Sequence, residues 1–256
     1  MSTAPIVFRF DDRLRRSPLN RIDPRARVVV FAVFAFTTAF LRSESAMIAA
    51  LGVAVLVTAI ARVPPGWFVR RLLPVDLFVL VMALVVPWSV EGRPLATFGP
   101  LTYSDAGLQV VWHTALRANA IVAAMLALLG TMELPTLGHA LSHLRVPDRL
   151  VHLLLFAVRY LEVLFAEYVR LRTAMRLRGF RRKTSRHAYR AFGYLIGMLL
   201  VRSLERSERV ARAMRLRGFR GRFYLLDHFH FHWIDLLFAA AAVFVVGGLV
   251  VLEVAG

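Results

Sequence analysis

Five apolar runs, at about 28–41, 46–61, 72–90, 106–130 and 233–252, restrict the fold of this chain more than anything else in it. Hydrocarbon offers no hydrogen-bond partner to a backbone amide, so runs of this kind must be helices that satisfy their own amides. An upright crossing takes roughly 20 residues, and the first two runs are short of that. They fit a re-entrant hairpin. Joined by the four-residue connection RSES, they also fit an antiparallel pair, once the first helix is extended back through Ala26 and the second on to Arg62. Taking them as crossings gives about five transmembrane helices in an all-α membrane protein. A mean hydropathy of +0.61 agrees with a bilayer environment.

Spans dilute charge, yet the chain carries a net charge of +17. The cations must therefore crowd the wet portions. Twenty of the 33 Lys and Arg residues lie between Arg145 and Arg222, beside five acids. Such a region suits phosphate, anionic lipid or an acidic protein surface. No nucleic-acid module accompanies it, and arginines beside spans are what orientation requires, so nucleic acid is not an expected partner. Seven arginines precede the first span and three lie in RVPPGWFVRR (62–71), whereas the intervening loops hold Arg42 and Arg93 alone. The N-terminus is therefore cytoplasmic, and the organisation reads as helices 1 to 4 in 1–132, a cytoplasmic region in 133–230 and a last crossing in 231–256. No apolar core precedes residue 28, so no cleaved signal peptide is expected. With no cysteine, disulfide and thiolate chemistry are excluded.

Within the cytoplasmic region, Arg149, His152, Arg159, Glu162, Glu167 and Arg170 fall on one stripe at 100° per residue, which makes 149–170 an amphipathic helix. A second helix spans about Tyr189 to Arg217. Its pairs Glu205 with Arg209 and Glu208 with Arg212 have the favourable i,i+4 order. Both helices finish in the same eight residues, AMRLRGFR, at 174–181 and again at 213–220. Gly179 and Gly218 supply left-handed residues just past the last turn, leaving Arg178 and Arg217 at exposed helix ends. One arginine there could merely complement the helix dipole. Two identical copies suit docking onto two equivalent acidic pockets.

These residues resemble the paired Ala-Arg-Gly motifs of the transmembrane T component of energy-coupling factor transporters. The likeness extends through SPLNRIDPRAR, FGPLTYSDAGL, LPTLGHALSHLRVPDRLVHLLLFAVRYLEVLFAE and RSLERSERVARAMRLRGFRGR. The last two stretches most resemble the cobalt and nickel branch, the CbiQ-like proteins. Both copies here depart from the pattern by carrying Leu in place of Ala, as Leu177-Arg178-Gly179 and Leu216-Arg217-Gly218. The resemblance implies a multi-pass, non-catalytic subunit of a bacterial or archaeal plasma-membrane importer, with no cofactor of its own. Its partners would be two ATP-binding-cassette ATPases, a membrane-embedded substrate-capture subunit and the lipid bilayer. Long coupling helices would carry one motif to each ATPase. Ala174, Met175, Leu177, Arg178 and Gly179 would serve one, and Ala213, Met214, Leu216, Arg217 and Gly218 the other. The arginines would bond acidic residues in the ATPase grooves while Met175 and Met214 pack beside them. A T component for a vitamin such as biotin is an alternative within the family. A membrane protein that works without ATPases is the alternative outside it.

Other polar residues leave two readings each. Asp76, near the cytoplasmic end of its run, and Arg117, near the middle of the next, differ in depth by several turns; either Arg117 snorkels or faces a partner helix while Asp76 caps or pairs at the interface, or the two line a transport pathway. His228, His230 and His232 either anchor a membrane interface or form a metal site, although in this family metal selection belongs to the capture subunit. No H-E-x-x-H or phosphate-binding glycine loop is present, and the single lysine, Lys183, sits in RRKTSR. ATP hydrolysis by this chain alone is therefore not expected. The charge asymmetry makes a direct prediction. A topology reporter fused after Gly256 should be active only outside the cytoplasm, and one inserted near Ser185 only inside. Cytoplasmic activity at both positions would remove the five-span arrangement.

Overall fold

Pro24 opens the first long helix where a missing amide costs nothing, and the Asp23 carboxylate before it accepts the Arg25 amide at 2.8 Å. The computed structural model describes residues 17–98, 101–144, 146–180, 185–219 and 233–255. The long helices are α1 (Pro24–Phe40), α2 (Glu44–Ile60), α3 (Pro65–Val85), α4 (Asp105–Leu128), α5 (Leu134–His143), α6 (Asp148–Leu177), α7 (Arg186–Leu216) and α8 (Trp233–Ala255). Among the described residues the fold is all-α apart from one antiparallel hairpin, β1 (Pro94–Phe98) with β2 (Leu101–Ser104), which sequence reading did not anticipate. The hairpin leads directly into α4, whose N-cap Ser104 ends β2. Two compact units result. Among the described residues, 17–140 with 233–255 form one and 141–219 the other.

Each expected apolar run lies in its own helix. By length and composition, α4 and α8 are able to cross a membrane. The shorter α2 is apolar over its 17 residues. In α3 the apolar run is preceded by Arg70 and Arg71 and interrupted by Asp76.

The first unit is built around α4, which packs against α1, α2 and α3. Ala46, Ala50 and Ala54 recur every fourth residue on α2, and Ala120, Ala123, Ala124 and Ala127 face them from α4; all are buried. Small residues let the backbones approach, which in an apolar solvent is what holds helices together. The Thr58 hydroxyl donates to the Ala54 carbonyl within α2 at 2.8 Å.

Charged side chains then fasten the helix ends. Arg27, only 1% exposed, donates from Nη1 to Asn20 at 3.0 Å and from Nη2 to the Leu128 carbonyl and the Thr131 hydroxyl. Its guanidinium thus sits at the C-terminus of α4, where carbonyls lack helical partners and the dipole is negative. At the start of α8 the buried Asp235 carboxylate accepts the Asp23 amide at 2.7 Å. Near its finish, Glu253 accepts the amides of Arg42 and Ser43, each at 2.9 Å, so it covers the N-terminus of α2. Asp235 and Glu253 are about five full turns apart and share one face of α8. That helix consequently runs parallel to α1, with its two ends at the two ends of α1.

Replacing Asp235 by Leu leaves the Asp23 amide buried without an acceptor, at a cost of about 1–3 kcal/mol. The thermal midpoint of the detergent-solubilised chain should fall by about 3–10 °C. Glu253→Leu should lower it less, because water can replace this exposed carboxylate.

Candidate functional site

The second unit consists chiefly of α6 and α7, 30 and 31 residues long. Side by side, they enclose a groove of about 950 Å³ walled by Tyr160, Leu164, Leu200, Leu204 and Val210. Glu167 of α6 spans the gap to Arg202 of α7 and also meets Arg170 at 3.6 Å. The expected i,i+4 pairs form, Glu205 with Arg209 at 3.9 Å and Glu208 with Arg212 at 3.4 Å. Exposed pairs of this kind add only a few tenths of a kcal/mol. The length of α7 rests on the leucines and the groove more than on these ions.

Both helices close by the same device. Gly179 has φ +80° and Gly218 φ +79°, the left-handed region that an L side chain enters at a cost. In the first copy the Phe180 amide reaches back to the Met175 carbonyl at 3.1 Å and the Gly179 amide to Arg176 at 3.0 Å. In the second, Phe219 reaches Met214 at 3.1 Å and Gly218 reaches Arg215 at 3.0 Å. This double closure satisfies carbonyls that the helix would otherwise leave open. Arg178 and Arg217 cap the two ends with nearly the same dihedrals, φ −85°, ψ 16° and φ −88°, ψ 12°.

Each closed end presents the same surface. Leu177 is 85% exposed and Leu216 is 89% exposed, more than any other large apolar side chain among the described residues. Ala174, Ala213, Arg178 and Arg217 are exposed too, and among the described residues neither arginine side chain has a hydrogen-bond or ion-pair partner. Met175 and Met214 are less exposed than the leucines. Both are half-buried on their own unit: Met175 shares a small cavity with Phe180, Phe192 and Leu195, and Met214 lines the groove between α6 and α7. Phe180 stands edge-on to Phe192 at 5.5 Å, which fixes the first end against α7. Of the apolar groups at each end, the leucines are the most exposed.

The remaining sequence candidates separate. Asp76 is the twelfth of 21 residues in α3, at mid-helix rather than near an end, because α3 starts at Pro65 and not at 72. Its carboxylate accepts the Asn119 amide of α4 at 3.0 Å. Arg117 is half-buried, and its Nε has no hydrogen-bond partner among the described residues. The cluster His228, His230 and His232 lies outside the described residues. Sequence reading missed Arg27, Asp235 and Glu253, although a charge beside or within an apolar run is itself a signal.

A model of the cobalt transport protein family CbiQ matches residues 15–225, including both helix ends. The chain belongs to the CbiQ family. Curated relatives within reach of this CbiQ chain include the energy-coupling factor transporter transmembrane protein EcfT of Listeria innocua, 28% identical over 79% of this chain and 81% of the relative. The protein of the same name from Heliobacterium modesticaldum is 24% identical over 80% of this chain and 81% of its own. A putative ABC transporter ATP-binding protein of Bifidobacterium longum is 26% identical over 47% of this chain, a stretch that amounts to 15% of that longer protein.

A Cβ at either cap glycine would meet no atom within 4 Å, so its cost is purely conformational. Gly179→Ala and Gly218→Ala should each raise the local free energy by about 1–2 kcal/mol. Amide exchange at Phe180 or Phe219 should accelerate about 5–30-fold, with global stability nearly unchanged. Unaltered exchange at both positions would show that the left-handed closure does not hold these ends.

Proposed function

We propose that this CbiQ chain is the transmembrane coupling subunit of an ATP-driven energy-coupling factor importer whose substrate is a cobalt or nickel ion. It crosses the plasma membrane five times with its N-terminus cytoplasmic, α1 to α4 and α8 being the crossings. Residues 133–230 form the cytoplasmic coupling region between helices 1 to 4, in 1–132, and the last helix, in 231–256. One observation carries the reading. Two long helices end in the same sequence, the same closure and the same exposed Leu-Arg pair, so the chain offers one surface twice.

Two equal surfaces suit two ATP-binding-cassette subunits. Leu177 and Leu216 fill an apolar recess on each, and Arg178 and Arg217 bond carboxylates beside it, a charge-assisted contact contributing about 1.5–3 kcal/mol. The relatives named as energy-coupling factor transporter transmembrane proteins favour this assignment, as does the likeness of part of the chain to part of an ATP-binding protein. The chain itself performs no chemistry. Its rigid helices convert closure of the ATPase pair into displacement of a membrane-embedded substrate-capture subunit. Pairing of α6 with α7 through the groove and the Glu167–Arg202 contact supports rigid transmission, because one end cannot yield without straining the other.

Arg178→Ala and Arg217→Ala should each weaken ATPase docking by about 2–5 kcal/mol, since a partner carboxylate is left desolvated and unpaired. Either single variant should still co-purify some ATPase through the intact end but import cobalt or nickel poorly. The double variant should lose both, because the tether that kept the effective concentration high is gone. Lysine at these positions should rescue little. Arg176→Ala and Arg215→Ala remove the same charge from the opposite side of each end and should act mildly. Equal damage from these controls would mean that general basic charge, not the paired motif, recruits the ATPases.

A further inference from the structure

The groove between α6 and α7 stays open because small residues share it with large ones. The two helices are antiparallel, since Phe180 meets Phe192 near one end and Glu167 meets Arg202 further in. One side of α7 carries Ser203, Ser207 and Ala211 at every fourth position, and α6 contributes Phe156, Tyr160 and Leu164 to the same space. Side chains as short as serine cannot close it. About 950 Å³ is left, and Leu200 and Leu204 beside it are 64% and 62% exposed, so the unit does not fill its own groove.

Chemistry and size narrow what can fill it. The Ser203 and Ser207 hydroxyls donate to the Leu200 and Leu204 carbonyls of their own helix, each at 2.8 Å, so an extended peptide laid on this floor would strand its carbonyls. A helix needs more room. Over the roughly 20 Å that the lining residues cover, a cylinder 10 Å wide takes about 1,600 Å³. An acyl chain needs neither donor nor that width, and the groove is close in length to one hydrocarbon leaflet, about 15 Å. One border is cationic: Arg202, Arg206 and Arg209 recur along α7 at spacings of four and three. The acids of the groove, Glu167 and Glu205, are already met by Arg202 and Arg209. Arg206 makes no hydrogen bond or ion pair among the described residues, which leaves its charge for an outside anion.

We infer that the α6–α7 groove binds one anionic phospholipid, with its acyl chains along Leu164, Leu200 and Val210 and its phosphate on Arg206. Two helices of the chain, α4 and α8, are able to cross a membrane, so such lipids are at hand. Seated between the helices that carry both closed ends, the lipid supplies the packing that the serines leave out. A filled groove holds the two ends as one body, whatever those ends dock against.

The test places the full chain in phosphatidylcholine vesicles with a minor fraction of phosphatidylglycerol bearing a photoreactive diazirine on one acyl chain, and maps the crosslinked peptides by mass spectrometry. Crosslinks should concentrate in 156–167 and 199–214. Phosphatidylcholine carrying the same diazirine should mark these segments about fivefold less, the upper end for an exposed ionic contact. Arg206→Gln should lower the phosphatidylglycerol signal by the same factor, whereas Arg190→Gln, at an exposed arginine of α7 outside the groove, should not. Ser207→Trp fills the floor and should abolish labelling there while labelling of α4 and α8 persists and reports an intact first unit. Excess inorganic phosphate should not compete, because the chains carry most of the contact. Equal labelling by the two lipids, a groove signal that Arg206→Gln leaves intact, or crosslinks confined to α4 and α8 would each overturn the site. So would a photoreactive residue at Tyr160 that, in the assembly purified from its own membrane, joins another protein and no lipid.

Discussion

A backbone amide inside hydrocarbon has no water to turn to, and the arrangement of the first unit follows from that shortage. Helices satisfy their own interiors but leave open groups at each end. Here charged side chains supply what is missing. Arg27 sits on the carbonyls at the end of α4, Asp235 accepts the amide that precedes α1, and Glu253 accepts the two amides that precede α2. Each of these charges belongs to one helix and closes another. Between the ends, alanines on α2 and α4 bring the backbones close, near enough for the Thr58 hydroxyl of α2 to reach the Ala123 carbonyl of α4 at 3.5 Å. Polar closure at the ends and small-residue packing between them are complementary, since the first sets direction and depth while the second sets separation.

The second unit solves an opposite problem. Its helices must stop cleanly and remain readable from outside. A left-handed glycine and two backward hydrogen bonds end each helix without drawing on the side chains of the penultimate leucine or the capping arginine. Those two side chains stay uncommitted while the residues beside them are fixed, Met175 and Phe180 against α7 and Met214 in the groove. Under the docking proposed for these ends, a partner would meet a surface already formed, and little ordering entropy would be lost on contact.

Much of this was legible from residues alone, and the reason is local physics. The apolar runs, the amphipathic stripe beginning at Arg149, the i,i+4 pairs and both glycine closures depend on neighbours a few positions away, and the helices and φ angles agree with them. The duplicated eight residues pointed to the helix ends for the same reason. What stayed hidden depends on distant pairing. Asp235 carries no local sign of its partner, the Asp23 amide 212 positions away. The start of α3 stayed hidden too, because hydropathy starts the run at 72, whereas Pro65 starts the helix and Arg70 and Arg71 lie within it. The hairpin before α4 escaped because nine residues of strand give too short an alternation to separate from loop.

The double fastening of α8 also has a bearing on the order of assembly. Its contacts join residues more than 200 positions apart, and the entire α6–α7 unit is written between them. During synthesis α6 and α7 are complete before the first unit has received α8. Until residue 253 has been made, the amides before α2 lack their carboxylate, and the α1 edge that α8 covers is open. A nascent chain therefore has a natural waiting state, in which both closed helix ends already exist while the first unit is still incomplete.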